Sequence, residues 1–222
     1  MKYTVSERII EGSRKITESF YSHPFVKGIA DGTLPVEKFK FYMIQDYLYL
    51  LDYAKVFSVG AAKAKKPHMM KAFSDYVSAI LSGEMDIHKG YMKRLGISLS
   101  DAENTEVSMD NLSYTSYMLR AAYEGGPAEV CAAILPCAIS YEMISRKMIE
   151  NYPSCVENEF FGEWIKGYSC EEYHNENIRL MELTEEAAKD LGPESIENLV
   201  EIGRRCTLYE AAFWDMAWEM RR

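Results

Sequence analysis

The apolar residues of this chain recur at helical spacing almost from end to end, and no stretch alternates at period two between turn signals. A chain patterned this way buries its apolar surface by packing helix on helix. Glycine and proline mark the breaks: Asp31-Gly32 and Pro35, then Pro67, Gly125-Gly126-Pro127, Asn151-Tyr152-Pro153 and Leu191-Gly192-Pro193. The spacing predicts helices over about 4–21, 24–31, 35–65, 67–95, 111–123, 127–150, 157–165, 169–190 and 194–220, with a polar, acidic loop over 98–108. Short turns between long amphipathic helices imply an all-α antiparallel bundle, one domain over 1–222.

A chain of 222 residues buries roughly 70% of its extended-chain surface and needs no disulfide or structural metal. The five cysteines are odd in number and form no C-x-x-C pair, which fits a reducing cytoplasm. A formal charge of −9 disfavours nucleic acid as a partner. The segment from Met1 to Arg8 has no apolar core of signal-peptide length, and no window approaches a membrane span, so a cytoplasmic location without membrane contact is expected. Sixteen tyrosines are the compositional outlier, and hydroxyls on apolar helix faces suggest a polar-lined pocket.

Three places carry candidate chemistry. Cys137 follows Pro136 inside a helical run, with Tyr141 one turn on along the same face. A thiol beside the backbone opened by proline is a candidate nucleophile, while spacing alone favours a buried cysteine acting as a small hydrophobe. Asp46 lies in an aromatic stripe with Tyr42, Tyr49 and Tyr53, where a carboxylate needs a partner and serves as a structural acceptor or a ligand-reading group. Glu210 shares a face with Phe213 and Ala217, so it is either a proton donor with a pKa raised by desolvation or the partner of Arg204 or Arg205. Tyr114, Tyr117 and Tyr168 look placed, although each is individually more ordinary as core or surface. Metal is the rival chemistry: Glu84, His88, Glu142 and His174 are helical ligand types. Ile178 and Met181 stand where further ligands would follow His174, which argues against a di-iron site. His88 is expected to cap or to pair with Glu84, and His23 before Pro24 reads as a helix cap or, on the weak evidence of one histidine, as a haem ligand.

Taken together, these segments resemble the TenA family, also called thiaminase II or aminopyrimidine aminohydrolase. The resemblance runs over essentially the whole chain. It is carried by Asp31-Gly32-Thr33-Leu34-Pro35 with Phe39, Tyr42 and Gln45-Asp46-Tyr47-Leu48-Tyr49, by Leu135-Pro136-Cys137 with Tyr141, and by Tyr209-Glu210 with Phe213-Trp214 and Ala217. It implies a haem-oxygenase-like fold without haem or any other cofactor or metal, assembled as a homotetramer. It implies hydrolysis of a C–N bond in a thiamin-related aminopyrimidine: aminomethylpyrimidine to hydroxymethylpyrimidine, or thiamin to its two halves. Cys137 would be the nucleophile, Glu210 the acid/base and Asp46 the reader of the aminopyrimidine. Tyr49, Tyr114, Tyr141 and Tyr168 would line the pocket, with Phe213 stacked on the ring. Two readings from other classes stand beside it: a non-catalytic helical binding or regulatory protein, and a metal-dependent oxidase on the same fold.

Overall fold

The computed structural model describes residues 3–222, and among these there are α-helices, one π-helical turn and one 3₁₀ turn but no strand. Helix α1 (Val5–Phe20) starts at a capping box in which the Thr4 hydroxyl accepts from the Glu7 N–H and the Glu7 carboxylate accepts from the Thr4 N–H. The His23 imidazole caps α2 (Pro24–Asp31) by accepting from the Phe25 N–H, one of the two roles read for it from the sequence. Gly32 ends α2 in the left-handed region at φ 77°. The long α3 (Val36–Lys63) carries the aromatic stripe and leads into α4 (Pro67–Ala79).

The helix expected over 67–95 is not uniform: a π-helical turn (Ile80–Glu84) separates α4 from α5 (Met85–Arg94). Part of the expected loop over 98–108 is also helical, as α6 (Leu99–Glu103), because the Ser98 hydroxyl caps it at the Asp101 N–H. Helix α7 (Met109–Glu124) follows its Ser108 cap, and α8 (Pro127–Asn151) runs on through Pro136. The helix expected over 157–165 is replaced by a 3₁₀ turn (Pro153–Glu157) and α9 (Gly162–Ser169). The Asn158 side chain causes the break, accepting the N–H groups of Phe160 and Phe161 at 2.9 and 2.8 Å and so turning the chain between the two. Helices α10 (Glu171–Ala188) and α11 (Pro193–Glu219) complete the bundle.

Helix α8 is the axis, flanked by α1, α3, α7, α10 and α11. By length and composition it is apolar enough to cross a membrane, contrary to the expectation that no window approaches a span, but 72% of its apolar window is buried inside the bundle. Pro136 has no N–H, which frees the carbonyl one turn earlier at Ala132. That carbonyl faces the crossing with α11 at Gly203, where an added Cβ would lie 3.5 Å from it and 2.4 Å from Ile9 Cγ2. Only a residue without a side chain lets α1, α8 and α11 meet so closely. On the opposite side Tyr53 Oη donates to the Ile134 carbonyl at 3.1 Å. Tyr173 Oη and Asn177 Nδ2 donate to the Ala138 carbonyl at 3.1 and 3.3 Å. These bonds tether the turn carrying Cys137 to α3 on one flank and α10 on the other.

Candidate active site

Cys137 on α8, Asp46 on α3 and Glu210 on α11 come from distant parts of the sequence and are buried together, with 9%, 4% and 2% of their surface exposed. Burial pushes the Cys137 thiol well above its usual range. The Glu210, Asp46 and Glu84 charges raise it further, while the neighbouring Tyr49 hydroxyl pulls it down. Burial pushes Glu210 up to about 8; the Tyr114 hydroxyl opposes this, the Asp46 charge adds to it, and the Cys137 thiol opposes it. The thiol, the acid and the aspartate therefore feel one another's charge. Arg204 and Arg205 do not pair with Glu210, because both bind Glu201 one turn away on the outer face. Glu210 Oε2 and Tyr114 Oη are buried without a hydrogen-bond partner. Two such atoms beside one thiol mark a place built to meet another polar group.

Aromatic side chains enclose these groups. Tyr49 stands with its ring centroid 5.2 Å from Tyr114, 5.3 Å from Tyr53 and 5.7 Å from Phe213. Tyr42 stacks on Trp214 at 5.8 Å, and its hydroxyl donates to Tyr141 Oη at 3.2 Å and accepts from Trp164 Nε1 at 3.3 Å. Tyr141 meets Tyr168 at 4.7 Å. Tyr49, Tyr53, Tyr114 and Phe213 thus join Tyr42, Tyr141 and Tyr168 in one connected group, through the edge contact of Tyr42 with Phe213 at 6.3 Å. Tyr117 is half-buried at the margin of this group, tilted against Tyr209 at 5.4 Å, and Tyr209 in turn stacks on Tyr114 at 5.7 Å.

A cavity of about 340 Å³ opens beside the cluster, walled by α3, α4, the π turn, α5, α8, α9 and α10. It reaches Ala138, Tyr53, His88 and Tyr168, while Cys137, Asp46 and Glu210 are buried and are not among its lining residues. Two of its wall residues, Glu84 and His88, are read from the sequence as metal ligands or as a pair with each other. Glu84 accepts from Tyr168 Oη at 3.1 Å through Oε1. His88 does not pair with the Glu84 side chain: Nδ1 donates to the Glu84 backbone carbonyl at 3.0 Å, and Nε2 donates to Asp46 Oδ2 at 2.6 Å. The i, i+4 spacing of Glu84 and His88 flagged this wall, but the partner across the bundle is not written in local spacing. Glu142 and His174 form a separate cluster, in which Glu142 accepts from His174 Nδ1, Arg146 Nε and Asn177 Nδ2. Among the described residues no three His, Cys, Asp or Glu side chains converge as metal ligands.

The chain matches the TENA/THI-4/PQQC family over residues 11–220. It is 42% identical over 219 residues to a Helicobacter pylori protein named aminopyrimidine aminohydrolase, covering 97% of this chain and 99% of that one. Its fold superposes on a TenA homologue from P. horikoshii OT3 with a TM-score of 0.87 and 30% identity, over 98% of this chain and 99% of the other. A haem-oxygenase-like domain from Shewanella denitrificans, 13% identical and covering 95% and 90% of the two chains, matches in fold with a TM-score of 0.77. The bundle is therefore haem-oxygenase-like, and the chain belongs to the TENA/THI-4/PQQC family.

Proposed function

We propose that this chain is an aminopyrimidine aminohydrolase that cleaves the C–N bond at the exocyclic methylene of a thiamin-related aminopyrimidine. The Helicobacter pylori relative bears that name, and the match covers nearly both chains. The observation that carries the reading is the buried juxtaposition of the Cys137 thiol with a Glu210 carboxyl held near pH 8, beside Asp46. An aromatic pyrimidine resists direct loss of its side-chain nitrogen, and addition of a thiol to ring carbon C6 removes that resistance.

Both groups are protonated at neutral pH in this environment, so a single proton accounts for the addition. Glu210 gives its proton to the ring nitrogen as sulfur bonds to C6, and takes up the thiol proton in return. The C–N bond then breaks with its electron pair leaving on nitrogen, water adds to the exposed methylene, and sulfur departs. Asp46 accepts from the exocyclic amine, while Tyr114 and Tyr141 hydroxyls fix the ring plane. A heterocycle without matching groups would leave those hydroxyls unpaired. Phe213, edge-on to Tyr42 and Tyr49, supplies a stacking face. The homotetramer belongs to the same proposal, and exposed Met109, Leu112 and Leu208 on the neighbouring helices α7 and α11 are candidates for its contacts.

The test is incubation of purified protein with 4-amino-5-aminomethyl-2-methylpyrimidine and, separately, with thiamin, following product by mass. Formation of hydroxymethylpyrimidine supports the reading, and its absence from both incubations overturns it.

A further inference from the structure

The wall of the open cavity carries an excess of acidic side chains. Its carboxylates are Glu84, Glu163, Glu172 and Glu176, its one imidazole is His88, already committed to Asp46, and neither lysine nor arginine lines it. Glu163 and Glu176 are neutralised at the rim by Arg94 and Arg179. Glu84 has no cationic side chain within salt-bridge distance other than through its backbone contact with His88, and its own carboxylate accepts only from Tyr168. Around it stand the rings of Tyr53, Tyr91, Trp164, Tyr168 and Tyr173. Both N–H groups of His88 are taken by Asp46 and the Glu84 carbonyl, so aromatic faces with the Glu84 carboxylate among them are left to attract a positively charged group.

The cavity also reaches Ala138, the residue next to Cys137, and the charge of Glu84 is felt at the Cys137 thiol. A substrate held at the Cys137 thiol can place the substituent on its methylene in this space. We infer that Glu84 is a specificity-determining residue that receives the cationic nitrogen substituent of the substrate, so that the protein selects pyrimidines bearing a positive charge at the methylene over neutral ones. The inference rests on the proposed function and names its substrate class. An amine held as ammonium beside a carboxylate leaves as neutral ammonia when the C–N bond breaks, with the bond electrons on nitrogen. A neutral hydroxymethyl product loses that attraction and is free to go.

The test uses two non-cleavable probes, the 5-(2-aminoethyl) and 5-(2-hydroxyethyl) homologues of the 4-amino-2-methylpyrimidine, titrated by calorimetry at neutral pH. The unmodified protein is expected to bind the cationic probe at least about tenfold more tightly than the neutral one, and Glu84→Gln to weaken the cationic probe about 10- to 100-fold while moving the neutral probe less than about twofold. Glu84→Asp restores part of the preference. Equal affinities in the unmodified protein, or a Glu84→Gln loss shared by both probes, overturn the inference. The comparison within the unmodified protein decides the matter even where Glu84→Gln fails to fold. Failure of the unmodified protein to bind either probe counts instead against the proposed function as well.

Discussion

His88 Nε2 lies 2.6 Å from Asp46 Oδ2, with both side chains almost completely buried, and its Nδ1 faces the Glu84 carbonyl. Both ring nitrogens therefore face acceptors, an arrangement that suits the doubly protonated imidazolium. Burial alone pushes the His88 pKa down, but the hydrogen bond and charge of Asp46, with those of Glu84, outweigh it and raise the value. Asp46 is thus held in one orientation by a charged partner from another helix. An aspartate with one oxygen so engaged offers the other to a ligand in a fixed direction.

Removing that partner strands a buried carboxylate. His88→Ala is expected to lower stability by about 3 kcal/mol, with His88→Asn retaining part of it through one remaining donor. A histidine raised on folding contributes fully below its unfolded value of about 6.5, and that contribution fades as pH rises through the folded value. Denaturant titrations across pH 5–9 should therefore show the gap between wild type and His88→Asn widest in mild acid, and a constant gap would contradict the ion pair.

Cys137→Ser is expected to lower turnover by about a thousandfold or more, since a hydroxyl is a far weaker nucleophile in the same place. Binding of hydroxymethylpyrimidine, read by thermal shift, should change little. Ordinary turnover in this variant would end the proposed mechanism.

Glu210→Gln should move activity and stability in opposite directions. A carboxyl raised to about 8 on folding stabilises the fold most in acid and loses that contribution as pH rises between its unfolded value and about 8. The amide never takes the charge, so the variant is expected to exceed wild type in stability by on the order of 3 kcal/mol above pH 8. Its turnover should fall severely, and wild-type turnover should itself decline as pH rises through about 8. Unfolding curves at pH 6 and 8.5, with a pH–rate profile, check both signs.

Gly203→Ala probes the crossing of α1, α8 and α11. The new methyl would overlap Ile9 Cγ2, and the expected loss is about 1–3 kcal/mol. Combining it with Ile9→Ala removes the overlapping atom, so the two changes should cost less together than the sum of each alone.

The architecture was readable wherever the chain itself enforces a break. Pro67, Gly32 and Pro193 act through local backbone geometry, and the elements they bound appear where expected. The π turn was not readable, because Ile80–Glu84 has the composition of an ordinary helix and its widened turn answers to packing. The split between the 3₁₀ turn and α9 depends on a side-chain bond from Asn158 that helical periodicity does not register. The same division holds at the candidate site. Aromatic and carboxylate positions along single helices were visible as faces, so Asp46, Glu210 and the tyrosines could be singled out. Partnerships between helices were not: Arg204 and Arg205 looked available to Glu210 until their own helical neighbour Glu201 claimed them.

The π turn fixes more than the shape of α4 and α5. One residue beyond the ordinary α repeat rotates everything after it by about 100° about the helix axis. His88 lies just past that added step and reaches Asp46 from there. Excision of Gly83 would let the helix rewind to regular pitch and carry the imidazole round to a neighbouring face, uncoupling the aspartate while deleting no side chain at all.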